Sequence, residues 1–202
     1  HLDPIIKERL RYAGEREDDW SDKPNVILQW LIDEKQESST RQSALRVLTV
    51  NFASIHTFTQ ALYNLAAYPQ YVGPPREEVD ALIREHGWTK EAIALMRKVD
   101  RFLAETQRLE GVLTSSVQRK AMKDLTLSDG TFVPKGTHIC VPTYVVHRDS
   151  VVYDNPGTFN PFRFSQPSDD EDASAGHQMV GVTQDYFPFG IEKHAWYGCT
   201  HL

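Results

Sequence analysis

Hydrophobic positions recur at a helical period through the first half of the chain and give way to short alternating runs in the second half. The spacing predicts a first helix over residues 4–13. Residues 21–24, ending at Pro24, read as a linker into an amphipathic segment carrying Val26, Ile27, Trp30 and Leu31, which fades into the polar run at 37–40. The most apolar helix is predicted over 42–67. Its Leu45, Leu48, Phe52, Ile55 and Leu62 fall at spacings of three, four, three and seven, which keeps them on one face. Small side chains, Val50, Ala53, Ser54, Thr57 and Ala61, line another side, so the centre of the helix has no charged face. Such a helix is expected to be buried all round, with something bulky against its small side.

Pro75, followed by Arg76, Glu77 and Glu78, opens another predicted helix with acidic residues in its first turn, and Gly87 stands where a C-terminal cap belongs. Thr89 can cap the next helix. A stripe of Val99, Phe102, Leu103, Thr106 and Leu109 then ends at Gly111. After that the period changes: Leu125 and Leu127 alternate before Asp129-Gly130, Phe132 and Val133 follow, and Pro134-Lys135-Gly136 turns the chain before Ile139. This predicts a small β-meander, in which Cys140 is expected to be a small core residue. Residues 165–184 are rich in Ser, Asp, Glu and Gly. Their acidic run at 169–172 lacks the Gly and terminal Glu of a calcium loop, so it reads as a solvated loop.

A chain of 202 residues is long enough to form one domain with a hydrophobic core unaided by metal or disulfide staples. The formal charge of −6, without a Lys/Arg stripe, excludes a nucleic-acid or anionic-lipid surface. Cys140 and Cys199 are the only cysteines, too few for a secreted disulfide framework. No apolar run approaches the roughly 20 residues that span a bilayer, so the segment by itself is expected to be soluble. It opens at His1 directly into helical pattern, without signal-peptide architecture, and is expected to be a fragment.

Glu105 and Arg108 stand three apart on one predicted helix, where they are neighbours. That Glu-Thr-Gln-Arg segment is followed by the meander, by Val146-His147-Arg148-Asp149, by Phe159-Asn160-Pro161-Phe162-Arg163-Phe164, and by Phe187-Pro188-Phe189-Gly190. In this order the series resembles the cytochrome P450 family of haem-thiolate monooxygenases, in its fungal type. The resemblance implies a mainly α fold with a small β-meander, the C-terminal half of the cytochrome P450 fold. Residues 1–36 would hold the helices before the central one, 42–67 the central helix, 75–111 the helices with Glu-x-x-Arg, 119–164 the meander and Arg163 loop, and 187–202 a remnant of the haem-ligand loop.

The resemblance assigns roles residue by residue. Glu105, Arg108 and Arg163 would form a buried charge network, where guanidinium forks match a carboxylate and backbone carbonyls as a lysine could not. Ala53, Ser54, His56 and Thr57 would line the distal haem surface, with Thr57 and His56 delivering protons. His56 stands where many relatives carry an acid, and the chain reaches Phe58-Thr59-Gln60 about one helical turn early. A Thr57 hydroxyl bonded back to its own helix is the plain alternative. Arg148 and His194 would reach haem propionates.

The ligand loop departs from the family pattern. Phe187, Gly190, His194 and Gly198 fit it, but the cysteine position holds Trp196, Glu192 replaces a glycine, and Tyr197 replaces a common proline. An indole N–H has no lone pair for iron. Cys199, three residues on, is the remaining candidate ligand, and a zinc cluster of His194, Cys199 and His201 matches no common zinc spacing. Lost register after Ala195 and the end at Leu202 point to a misread or mis-spliced gene end. The resemblance thus implies haem as cofactor, a small organic substrate (lipid or secondary metabolite) and an electron-donating reductase. It places the whole protein on the cytosolic face of the endoplasmic reticulum through a missing N-terminal anchor. A non-catalytic remnant that binds haem weakly or not at all is the alternative.

Overall fold

The computed structural model describes residues 3–15, 23–24, 26–33, 40–163 and 179–191. The elements in order are α1 (Asp3–Glu15), α2 (Ile27–Asp33), α3 (Thr40–Ala67), a short 3-10 turn (Pro69–Tyr71), α4 (Gly73–His86), α5 (Lys90–Leu95) and α6 (Arg97–Leu109). Strands β1 (Ser116–Lys120), β2 (Leu125–Thr126), β3 (Phe132–Val133) and β4 (His138–Val141) follow, then α7 (Thr143–Val146). No helix among the described residues is long and apolar enough to cross a membrane.

The chain divides into two compact units, residues 1–55 and 56–202, with the division falling inside α3. In the first unit, Ile6 of α1 and Ile32 of α2 are buried, and Gln29 donates to Asp33 at 2.9 Å, which also pairs with Lys23 at 2.8 Å. In the second, Ala61 of α3 joins Phe102 and Leu109 of α6 and Phe159 in a core, with Tyr68 stacked on Phe159 at 4.9 Å and Phe102 edge-on to it at 5.2 Å.

The period-based expectation for α3 is only half met. Its apolar stripe is open: Phe52 and Ile55 are each 64% exposed, and Leu45, Leu48, Phe58 and Leu62 are also exposed. Nothing among the described residues covers that face, so the helix is not buried all round. On the side of the second unit that carries Thr57, Ala61 and Asn64, the bulky neighbour is α6: Asn64 donates to the Thr106 hydroxyl at 3.3 Å.

Helix ends follow the residues that can satisfy free backbone groups. Gly87 caps α4 with φ of 67°, and the Thr89 hydroxyl accepts from the Ala92 N–H at 3.2 Å to start α5. The predicted stripe from Val99 to Leu109 lies wholly within α6, and Met96 separates that helix from α5. Met96 has no capping side chain, and the role passes to Glu78 of α4, whose carboxylate accepts from the N–H groups of Lys98 at 2.8 Å and Val99 at 3.2 Å. Past the other end of α6, a Cβ on Gly111 would sit 2.8 Å from the Gln107 carbonyl oxygen, so only glycine lets the chain leave so tightly.

The strands are nested instead of forming a sequential meander. β2 pairs with β3 across the Asp129-Gly130 turn, and β1 pairs with β4 outside them, both antiparallel. The outer ladder is carried inward by Ala121 N–H to Thr137 at 2.9 Å and Gly136 N–H to Ala121 at 2.7 Å. Val117 takes φ of 52° at an irregularity in the β1–β4 register, an uncommon conformation for a β-branched residue. Along β4, Ile139 and Val141 are half-buried while His138 and Cys140 are exposed, so the expectation of a core Cys140 is corrected by the strand's alternation.

Because Glu78 serves two N–H groups at once, Glu78→Ala should cost about 1–2 kcal/mol by thermal unfolding, and Glu78→Gln, which keeps an acceptor oxygen, should recover most of it.

Candidate functional site

Helix α6 presents Glu105 and Arg108 one turn apart on a fully buried face, with side chains at 0% exposure. Arg108 grips the carboxylate with two parallel bonds, Nε to Oε2 at 2.7 Å and Nη2 to Oε1 at 2.8 Å. Its Nη1 turns away and donates to the carbonyls of His147 and Pro156, the latter at 2.9 Å. The same carboxylate oxygen Oε1 accepts from Arg163 Nε at 3.3 Å and from the Asn160 N–H at 3.0 Å. Arg163 in turn donates to the carbonyls of Asp154, Asn155 and Thr158. The structure thus brings Glu105, Arg108 and Arg163 together, and their bonds close the loop from 153 to 163 onto α6. Tyr153 lies beneath both guanidiniums, 4.8 Å from Arg108 and 6.0 Å from Arg163, and burial pushes its phenol up to about 12.

The other predicted residues that lie in the second unit gather around the C-terminal end of α6. His56 of α3 places Nε2 2.9 Å from the Glu110 carbonyl, which can only accept, so that nitrogen carries the proton. Thr57 faces Gln107, whose amide lies 3.5 Å from the Thr57 hydroxyl, at the outer limit of a hydrogen bond. Gln107 also accepts from the Tyr186 hydroxyl at 3.1 Å. Arg148 donates to the Leu109 carbonyl and lies 3.7 Å from the Tyr144 ring centre, so its guanidinium is already engaged by protein. Ala53 is half-buried and Ser54 exposed, both in the first unit. His194, Trp196, Cys199 and His201 lie outside the described residues.

Sequence reasoning missed three contributors. Asn160 supplies a backbone N–H to Glu105 and fixes its own loop by accepting from the Phe162 N–H at 3.1 Å. Tyr186 anchors the 179–187 segment on α6. His147, named above only as part of a motif, is 2% exposed, with Nε2 accepting from the Phe187 N–H at 3.1 Å. Burial lowers its pKa from 6.5 to about 4, with the Arg108 and Arg148 charges adding to the effect and a hydrogen bond with the Arg108 backbone opposing it. The only sequence signal was its position between the Glu-x-x-Arg helix and an aromatic-rich segment. No group of three His, Cys, Asp or Glu is placed to hold a metal ion among the described residues.

A family model for cytochrome P450 matches residues 1–195. Among curated proteins, cytochrome P450 monooxygenase 71 of Postia placenta is 43% identical over 201 residues, covering 96% of this chain and 40% of that protein. Cytochrome P450 monooxygenase 103 of the same fungus is 45% identical over 201 residues with the same coverage. Cytochrome P450 monooxygenase CYP512U6 of Ganoderma lucidum is 40% identical over 200 residues, covering 96% of this chain and 39% of that protein. The chain thus spans about 40% of the length of the relatives it matches.

Two outcomes follow from this geometry. Arg108→Ala should destabilise by about 3–5 kcal/mol in chemical unfolding, because it leaves the Glu105 carboxylate buried with its main partner gone, and Arg108→Lys should restore little. For His147 the folded-state pKa lies below the unfolded value, so its contribution is complete above about pH 6.5, falls as acid protonates the unfolded chain, and is gone by about pH 4. Unfolding curves across that range should lose on the order of 2–3 kcal/mol that His147→Phe does not lose.

Proposed function

The chain belongs to the cytochrome P450 family, and from that premise we propose that the protein is a monooxygenase of that family, with these residues supplying the C-terminal half of its fold. The observation that carries this reading is the closed cluster of Glu105, Arg108 and Arg163, a buried arrangement of three charged residues. On this reading 1–36, 42–67, 75–111, 119–164 and 187–202 are the successive pieces named from the sequence. The substrate is a small organic molecule, a lipid or secondary metabolite. Electrons come from a reductase, and the whole protein sits on the cytosolic face of the endoplasmic reticulum through an anchor outside this segment.

When bound, haem supplies the oxygen activation that no side chain offers. Thr57 and His56 are the residues proposed to move protons, and His56 can do so only through Nδ1 while Nε2–H is held by Glu110. Arg148, His194, Ala53 and Ser54 are the proposed contacts of the cofactor. Arg148 would reach it with the N–H groups not given to Leu109.

The donor set of the sequence as it stands does not fit a thiolate-held iron. Trp196 occupies the ligand position, its indole has no lone pair to give, and Cys199 is displaced by three residues. The family match also stops at residue 195, immediately before Trp196. These two observations favour a second reading, in which the chain as written is an inactive member that holds haem weakly or not at all.

Reconstituting the full-length protein with haemin, reducing it and adding carbon monoxide tests both. The expected spectrum is of the nitrogen-ligated type, from His194 or His201, and Trp196→Cys should produce a thiolate-type Soret band. A thiolate band in the unaltered protein that disappears in Cys199→Ser would make Cys199 the ligand and overturn the inactive reading. Absence of the band in Trp196→Cys would place the defect in the cradle around Glu192.

A further inference from the structure

His147 is joined to two parts of the molecule that the sequence keeps far apart. Through its backbone it belongs to the charge cluster, since its carbonyl accepts from Arg108 Nη1. Through its ring it holds the 186–187 segment. The imidazole lies face to face with Tyr186, centres 5.6 Å apart and planes at 16°, and edge-on to Phe187 at 5.3 Å, while Nε2 accepts the Phe187 N–H. We propose that His147 is the positioning residue for the loop that starts at Phe187, fixing the loop's first backbone N–H to the Glu105–Arg108–Arg163 cluster as an imidazole protonated on Nδ1.

The tautomer follows from the partners. A backbone N–H must be met by an unprotonated nitrogen, so Nε2 carries no hydrogen and the neutral ring has its proton on Nδ1. The hydrogen bond with the Arg108 backbone favours a proton on the ring, as expected if Nδ1–H donates to that carbonyl. The ring holds the Phe187 N–H, and the same residue's carbonyl holds Arg108 Nη1, so His147 links the two. Arg108 from α6 and Arg148 from the adjoining segment are the charged groups facing it, and both disfavour a second proton. From the other side the facing group is the Tyr186 phenol, whose hydroxyl is occupied by Gln107 at 3.1 Å and by the carbonyls of Met179 and Ala104.

The segment that receives this bond is held in place just before it. The Thr183 N–H donates to the Tyr186 carbonyl at 2.7 Å, and the Thr183 hydroxyl accepts from the Tyr186 N–H at 2.9 Å. Tyr153 donates to the Asp185 carbonyl at 2.8 Å. At Phe187 the His147 nitrogen takes over. Immediately beyond, Gly190 turns at φ of 91°, with its N–H on the Phe187 carbonyl at 3.2 Å. The position of Phe187 therefore sets where the loop turns away.

This inference rests on reading 187–190 as the start of the ligand loop, and its test reads the imidazole and one amide, so it stands or falls separately from any haem spectrum. In the full-length protein at neutral pH, the 15N signal of His147 Nε2 should be of the unprotonated, pyridine-like type. The Phe187 amide should be protected from exchange, with protection declining as pH falls toward the His147 titration. His147→Phe keeps the ring stacking and removes the acceptor. It should lower Phe187 protection about tenfold while the amides of α6 keep theirs, and His147→Gln should restore part of it. A protonated Nε2, or Phe187 protection unchanged in His147→Phe, would overturn the proposal. If His147→Phe does not fold, the tautomer and the acid titration of the unaltered protein still decide.

Discussion

The second unit depends on one buried carboxylate. Glu105 is wholly inaccessible, and an ion taken from water costs several kcal/mol unless nearly every lone pair finds a donor. Three donors come from two guanidiniums and a fourth from the Asn160 N–H. That requirement, more than any sum of pairwise attractions, explains why residues 154–163 fold back onto α6. The arginines then have N–H groups to spare, which reach the carbonyls of His147, Asp154, Asn155, Pro156 and Thr158. Satisfying one charge organises a loop that has no regular hydrogen-bonding ladder of its own.

The sequence was most readable where the governing physics is local. Helical spacing located the long α3 to within two residues at its start, and Gly87 and Thr89 marked a stop and a start because each satisfies end groups within its own turn. Residues that meet across the chain were less legible. The pairing of β1 with β4 depends on how four short strands share edges, which the alternation of any one strand does not reveal. The exposure of Cys140 follows from that register. Glu78 capping a helix 20 residues away also leaves no mark in local pattern. Glu105, Arg108 and Arg163 were legible from resemblance, whereas His147 was not, since its importance lies in a bond to a residue 40 positions on.

Helix α3 carries two faces with opposite fates. The side bearing Thr57, Ala61 and Asn64 meets α6, and the stripe of Leu, Phe and Ile lies open. Composition alone made both faces look buried, because small and large apolar side chains equally lack charge. The distinction comes from what stands opposite, which a helical period cannot specify. It also separates the two proton-carrying candidates from the apolar stripe: His56 and Thr57 turn toward polar groups on α6, while Ile55 and Phe58 beside them turn to solvent.

The C-terminal end of α6 gathers contacts from several elements of the second unit. A helix leaves its last carbonyls unsatisfied and carries partial negative charge there, so donors and cations are favoured at that end. Here the Leu109 carbonyl takes the Arg148 guanidinium and the Glu110 carbonyl takes His56 Nε2–H, the Arg108 side chain donates to the His147 carbonyl, and Gly111 lets the chain depart without blocking Gln107. These partners come from different parts of the second unit, from α3, from the segment after α7, and from the cap of α7 itself. A proposed distal residue, a proposed cofactor contact and the proposed loop-positioning residue are consequently tied to the same helix end, the first two through its successive carbonyls and the third through the Arg108 side chain. The buried carboxylate one turn earlier holds that end still, and so the charge network can govern the geometry of the site without touching anything that reacts.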